Sequence, residues 1–103
     1  VIFVGGSGAS EYWDNPTAHK IANDASNAKK IVGAICIAPV TLAKAGLLKD
    51  KKATTFSSTI NDIKTAGANY TGAEVEKDDN IITASGPTAA QKFGETIVKA
   101  MSQ

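Results

Sequence analysis

The segment Ile31-Val-Gly-Ala-Ile-Cys36-Ile-Ala-Pro39 gives the clearest indication of the fold class. Its first five residues form a continuous apolar run, which is typical of a strand buried on both faces of a parallel sheet. Proline is favoured at the first position of a helix, so the strand is expected to lead directly into a helix near Pro39. Cys36 therefore lies at a sharp turn between these two elements.

Cys36 is the only cysteine of the chain. A side chain at a strand-to-helix turn is lifted clear of the sheet, and the backbone N–H groups of the new helix favour negative charge beside it. This placement predicts a nucleophile. The alternative is a small buried core residue, because free cysteine is among the most buried residue types. A lone cysteine cannot form an internal disulfide, which favours a reducing, cytoplasmic location.

Strand-like and helix-like segments alternate along the rest of the chain. The expected elements are a strand over 1–4, a helix from Pro16 to about residue 28, a strand over 31–35, a helix from Pro39 closed by Gly46, a strand over 53–56, a helix over 59–66 closed by Gly67, a hairpin of 74–77 with 81–84, and a helix opened by Gly86-Pro87. This alternation predicts an α/β fold with an open, mostly parallel sheet, helices on both faces and a small hairpin at the sheet margin.

Two of the expected helices show the three-and-four spacing of a docked amphipathic helix. The inward positions predicted for the first are Ala18, Ile21, Ala22, Ala25 and Ala28, and those for the last are Ala90, Phe93, Ile97, Val98 and Met101. His19, the sole histidine, falls outside the first set. We therefore expect it to be a solvated surface residue.

Composition narrows the classes of function. The 103 residues are 43% hydrophobic and 20% charged, which suits one globular domain. Eleven basic and ten acidic residues give a net charge of +1, which argues against nucleic acid as a partner, and no run is long enough for a membrane span. One cysteine and one histidine predict no metal site, and the loop Gly5-Gly-Ser-Gly8 lacks the Lys-Ser/Thr ending of a phosphate-binding loop. No cofactor is expected.

Five segments together carry a family resemblance. They are Val4-Gly-Gly6, Ala34-Ile-Cys-Ile-Ala-Pro39, Ala45-Gly-Leu-Leu48, Lys52-Ala-Thr-Thr55 and Ile82-Thr-Ala-Ser-Gly-Pro87. In this order, over nearly the whole chain, they resemble the ThiJ/PfpI superfamily, which includes the parkinsonism-associated deglycase. The resemblance implies a flavodoxin-like, class I glutamine amidotransferase-like sandwich. It also implies that residues 1–103 form a single domain corresponding to the carboxyl-terminal two-thirds of a longer one.

The resemblance further implies a cofactor-independent glyoxalase or deglycase, a hydrolase or lyase, that acts on 2-oxoaldehydes and often forms a homodimer. The implied site consists of Cys36 as nucleophile, the backbone of Gly5, Gly6 and Ile37 as oxyanion donors, and Ser7, Phe56, Gly86 and Pro87 as pocket residues. Three alternatives stay open. They are a redox-sensing, chaperone-like protein that uses oxidation of Cys36, an intracellular cysteine peptidase, and an inactive fragment whose partner is the missing amino-terminal segment.

The chain departs from the family pattern at the proton-transfer groups. The acidic partner of the family's cysteine comes from a helix that precedes the segment matching residues 1–4. The family's two histidine positions are occupied here by Ile37 and Phe56. Amide hydrolysis needs a general acid for the leaving amine, so the peptidase alternative weakens more than aldehyde chemistry does.

Overall fold

The computed structural model of the protein describes residues 1–5 and 7–102. Its strands are β1 (Ile2–Phe3), β2 (Val32–Ile35), β3 (Lys52–Ala53), β4 (Asn69–Tyr70), β5 (Val75–Asp78) and β6 (Ile81–Ala84). Its α-helices are α1 (Pro16–Asn27), α2 (Pro39–Lys44), α3 (Ile60–Thr65) and α4 (Ala90–Met101). Short 3₁₀ segments cover Ser7–Tyr12, Ser57–Thr59 and Pro87–Ala89. Within the described ranges, no helix has the length and apolar character needed to cross a membrane.

The main sheet has four strands in the order β1-β2-β6-β5. The pairs β1–β2 and β2–β6 are parallel, whereas β5 and β6 form an antiparallel hairpin. All four residues of β2 and all four of β6 are buried, as expected for central strands. The prediction of a mostly parallel α/β sheet with a marginal hairpin is confirmed.

Helices cover both faces of this sheet. Val32 and Ala34 of β2 contact the apolar cluster that α1, α2 and α3 contribute to, whereas Ile35 joins a second cluster around Phe93 of α4. Successive residues of a strand point to opposite faces, which explains the division. Leu42 and Leu48 are fully buried in the larger cluster, and each contributes about 1.5–3 kcal/mol through burial.

The predicted ends of the first three helices match the structure closely. The Asn15 side chain accepts hydrogen bonds from the backbone N–H groups of Thr17 and Ala18, at 2.9 and 3.0 Å, and so caps α1. Gly46 and Gly67, at φ +84° and +93°, follow α2 and α3 in the left-handed conformation that glycine adopts without steric cost.

The predicted strand over 53–56 is wrong in most of its length. β3 ends at Ala53 and pairs with β4, which the sequence pattern did not reveal. The next residues bond elsewhere: the Thr54 N–H donates to Thr83 Oγ1 at 2.9 Å, and the Thr55 hydroxyl donates to the Cys36 carbonyl at 3.0 Å. Residues 54–56 are therefore not part of a strand, because their polar groups bond to β6 and to the turn at Cys36.

Two predicted inward positions on α1 are wrong. Ala18 and Ala22 are buried, but Ile21 is 48% exposed and Ala28 is also exposed. The helix contacts β2 and α2 through a narrow stripe of small residues spaced four apart. Ile21 lies about 100° around the helix from Ala22 and points away from that stripe.

Three predicted inward positions on α4 are wrong for a similar reason. Phe93 is buried and Ile97 is partly buried, whereas Ala90, Val98 and Met101 are exposed. α4 contacts β6 and β2, so only one stripe of the helix faces the sheet.

Candidate active site

Cys36 adopts the backbone conformation of a nucleophile elbow. It follows the last residue of β2 directly, and its φ of +66° lies in the left-handed region. That region costs a residue with a Cβ atom roughly 1–3 kcal/mol and is retained only where the surroundings enforce it. Cys36 is a free cysteine of intermediate burial, and it packs against the apolar cluster around Phe93. The structure therefore holds the single cysteine in a strained turn at the margin of the core.

Hydrogen bonds from two other segments enforce this conformation. The Cys36 N–H donates to the Ala84 carbonyl, at the end of β6, at 3.1 Å. The Cys36 carbonyl accepts from the Phe56 N–H at 2.9 Å and from the Thr55 hydroxyl at 3.0 Å. Both backbone polar groups of the strained residue are thus bonded, which stabilises the turn.

Thr55 has a role in this site that the sequence analysis missed. Its buried hydroxyl also bonds to the Thr59 hydroxyl at 2.7 Å. A buried hydroxyl requires a partner, so a pair of consecutive threonines next to an apolar segment is the signal that could have indicated such a contact. The sequence did not indicate that the partner would be the cysteine turn.

Gly5 lies directly against the cysteine turn. A Cβ atom added at Gly5 would lie 2.2 Å from Cys36 Cβ, 2.6 Å from the Ile35 carbonyl oxygen and 3.2 Å from the Ile37 nitrogen. No side chain fits at these distances. The parallel pairing of β1 with β2 brings the two positions together, and the absence of a side chain at residue 5 permits the approach.

Phe56 and Gly86 lie on another side of the thiol. A Cβ atom added at Gly86 would lie 3.2 Å from Phe56 Cδ1 and 3.9 Å from Cys36 Sγ. The ring edge and the sulfur therefore both lie close to the backbone of Gly86. Phe56 is 39% exposed, so its ring also faces solvent.

Trp13 and His19 link α1 to the same turn. Trp13 Nε1 donates to the Ile37 carbonyl at 3.1 Å, and His19 Nε2 donates to the Trp13 carbonyl at 2.6 Å. His19 is partly buried, so the prediction of a solvated surface histidine is wrong. The short segment between Trp13 and α1 folds back, which brings the imidazole onto the Trp13 carbonyl.

The other predicted site residues are Gly6, Ser7 and Pro87. Gly6 lies outside the described residues. The backbone of Ser7 begins the 3₁₀ segment that follows, and its side chain is not among the described groups. Pro87 is exposed and begins the 3₁₀ segment before α4, immediately after Gly86.

The described residues supply the thiol with no hydrogen bond to a group that could transfer a proton. In the described part of the chain, neither an acidic side chain nor the imidazole is hydrogen-bonded to Cys36 Sγ. Residues 1–5 and 7–102 also contain no group of three or more His, Cys, Asp or Glu side chains that could hold a metal ion. The arrangement is suited to nucleophilic attack by sulfur, with backbone groups and an apolar ring around it.

Comparisons with known proteins agree with this geometry. The model of the DJ-1/PfpI family matches residues 1–100. An uncharacterised protein of Methanocaldococcus jannaschii is 42% identical, over 100% of this chain and 52% of its own length. The Parkinson disease protein 7 homolog of Danio rerio is 32% identical, over 96% of this chain and 53% of its own length. A deglycase of Pyrococcus horikoshii is 28% identical, over 96% and 60%.

A solved structure supports the same relationship. The ThiJ/PfpI domain protein from Brachyspira murdochii superposes with a TM-score of 0.94 at 28% identity, over 98% of this chain and 60% of that one. The flavodoxin-like fold implied by the resemblance is thereby confirmed. This chain spans little more than half the length of the curated relatives it matches.

Proposed function

Because this chain belongs to the DJ-1/PfpI family, we propose that it acts through Cys36 as a cofactor-independent glyoxalase or deglycase on small 2-oxoaldehydes. The observation that carries the proposal is the placement of a free, partly exposed cysteine at φ +66°, directly after a central parallel strand. Reactive groups in open α/β sheets lie at the carboxyl ends of the strands. The deglycase name of the Pyrococcus horikoshii relative supports the same chemistry.

In the proposed reaction, sulfur attacks the aldehyde carbon of the substrate. A carbon–sulfur bond forms, the carbonyl π electrons move to oxygen, and that oxygen takes up a proton to give a hemithioacetal. The proton on this carbon then moves to the neighbouring carbonyl carbon, and the hydroxyl proton moves to that carbon's oxygen, which leaves a thioester. Water adds to the thioester carbonyl, the carbon–sulfur bond breaks, and the 2-hydroxy acid leaves as the sulfur regains its proton. The reaction consumes one water molecule and needs no redox partner.

We assign the developing oxyanion to the backbone N–H groups of Gly6 and Ile37, with Gly5 providing the close approach. One fixed donor at such a position is worth roughly 3 kcal/mol of transition-state stabilisation. The described contacts of Cys36 include no carboxylate for the proton transfer between carbons. We therefore expect that step to limit turnover.

Methylglyoxal consumption by the wild type and by Cys36→Ser tests this proposal. We expect turnover in the wild type and a rate indistinguishable from the uncatalysed reaction in the variant. A wild type that consumes no 2-oxoaldehyde, or a serine variant that keeps the activity, would contradict it.

A second candidate function is redox sensing with chaperone-like action through partners. In the part of the chain that the structure describes, no acid or histidine is hydrogen-bonded to the thiol. This favours the second candidate, because sensing needs only an accessible, activated sulfur. Two equivalents of peroxide would convert the thiol to a sulfinate and release two waters. Intact mass after mild peroxide treatment should show two added oxygen atoms, and an unmodified thiol would remove this candidate.

The peptidase alternative has the least support, because His19 bonds to the Trp13 carbonyl and the family's histidine positions hold Ile37 and Phe56. A domain that is inactive by itself and functions only in complex with a further segment is the remaining alternative. For the chain as it stands, we propose a cytoplasmic location and self-association through the exposed edge at β1.

A further inference from the structure

Phe56 is fixed beside the proposed nucleophile by its backbone. Its N–H donates to the Cys36 carbonyl, and its own carbonyl accepts from the Thr59 N–H at 2.9 Å and from the Thr59 hydroxyl at 3.0 Å. Phe56 belongs to neither apolar core cluster among the described residues. A large aromatic ring is therefore held firmly at the site without contributing to the core.

Gly86 brings the ring and the thiol near one another. A Cβ atom added at Gly86 would lie 3.2 Å from Phe56 Cδ1 and 3.9 Å from Cys36 Sγ, so the ring edge and the sulfur are no more than about 7 Å apart. Because Phe56 is also exposed, a substrate bonded to the sulfur is close enough to contact the ring.

We propose that Phe56 forms an apolar wall that makes the Cys36 site select 2-oxoaldehydes carrying an aromatic substituent, such as phenylglyoxal, over methylglyoxal. The substituent would pack against the exposed part of the Phe56 ring while the aldehyde carbon faces sulfur. The substrate claim rests on the proposed function, but the wall itself does not.

Contact between two aromatic rings raises binding affinity about 3- to 10-fold more than the buried area alone would. Among residues 1–5 and 7–102, no charged side chain bonds to the thiol and competes for this position. The preference should therefore depend on the ring at residue 56 rather than on charge.

Alkylation of Cys36 tests the wall without requiring catalysis. Iodoacetanilide carries a phenyl ring, whereas iodoacetamide is small and polar, and intact mass gives both rates. We expect the ratio of the two rates to exceed the ratio measured on the urea-unfolded chain by about 3- to 10-fold. Phe56→Ala should return the ratio to the unfolded value, and Phe56→Tyr should keep it.

Tyr12→Ala provides a matched control, because Tyr12 is an exposed aromatic residue that lines a groove to which neither Cys36 nor Phe56 contributes. That variant should keep the wild-type ratio. A wild-type ratio equal to the unfolded one, or a folded Phe56→Ala protein with an unchanged ratio, would overturn the inference.

Steady-state kinetics then separate the wall from the reaction. We expect kcat/KM for phenylglyoxal to exceed that for methylglyoxal in the wild type and the two to converge in Phe56→Ala. An aromatic preference in alkylation without turnover of either aldehyde would overturn the proposed function and support the wall. Equal turnover of both aldehydes by the wild type would overturn the substrate preference.

Discussion

The turn at Cys36 and the edge of the sheet at β1 differ in how the chain supports them. Cys36 is bonded through both of its backbone groups, to β6 and to residues 55 and 56. Among the described residues β1 pairs only with β2, and Ile2 and Val4 beside its outer edge are 40% and 71% exposed. The turn at Cys36 is thus held by hydrogen bonds from two other segments, whereas nothing in residues 1–5 and 7–102 pairs with the outer edge of β1.

An uncovered apolar edge invites pairing with another strand. Beside this edge lies a groove of about 430 Å³, lined by residues of β1, the first 3₁₀ segment and α1, including the exposed Tyr12 and Ile21. Support of the cysteine turn and coverage of the sheet edge are therefore separate properties, which substitutions at the two regions can distinguish.

Gly5→Ala should have the largest effect, because its Cβ atom would collide with Cys36 Cβ and with the Ile35 carbonyl oxygen. Overpacking against such rigid atoms should lower the free energy of unfolding by about 3 kcal/mol. Urea denaturation measures this loss, and alkylation of Cys36 should change with it. Gly8→Ala is the control, because a Cβ atom there meets nothing within 4 Å. Equal stabilities of the two variants would refute the close approach at Gly5.

Thr55→Val removes a buried hydroxyl that bonds to the Cys36 carbonyl and to Thr59. Loss of these bonds should lower the free energy of unfolding by about 1–2 kcal/mol. Thr65→Val, at the exposed end of α3, should change it by less than about 0.5 kcal/mol in the same urea titration. A Thr55 variant as stable as the Thr65 variant would show that the hydroxyl does not support the turn.

Replacing Cys36 by glycine or by alanine measures the strain at φ +66°. Glycine is ordinarily less stable than alanine, but at a left-handed position it avoids a cost of about 1–2 kcal/mol. We therefore expect Cys36→Gly to be about 1 kcal/mol more stable than Cys36→Ala in thermal unfolding. The opposite order would mean that residue 36 is unstrained.

Val4→Lys addresses the edge and should have the smallest effect on stability. Because Val4 is largely exposed, the free energy of unfolding should change by less than about 0.5 kcal/mol. Sedimentation velocity should show less self-association than in the wild type, since a charge on an edge opposes pairing. Lys92→Gln on α4 serves as a distant surface control. A wild type that stays monomeric at all concentrations would contradict self-association through the edge.

Local sequence rules predicted the elements that local interactions determine. The cap at Asn15, the left-handed glycines after α2 and α3, the buried runs of β2 and β6 and the hairpin all follow from residue type and spacing. The β3–β4 pairing and the exposed positions of α1 and α4 depend on which elements meet in space. Periodicity identifies an apolar side of a helix but not how much of it the sheet covers.

At the candidate site, too, some features follow from the local sequence and others from tertiary contacts. The position of Cys36 at a strand-to-helix turn and its proximity to Gly5 follow from the order of the elements. The hydrogen bond of Thr55 to the Cys36 carbonyl joins residues 19 apart, and that of His19 to the Trp13 carbonyl spans the turn before α1. Such bonds depend on tertiary geometry that spacing along the chain does not encode.

The rate of Cys36 alkylation by iodoacetamide at neutral pH tests the central claim most directly. Intact mass would follow the reaction on the folded chain and on the same chain unfolded in urea, with the rate on free glutathione as a reference for the denaturant. We expect faster alkylation in the folded chain, because Cys36 is partly exposed in the turn that leads into α2 and a position before the start of a helix favours the thiolate. Slower alkylation or full protection in the folded chain would mean that Cys36 is a structural residue.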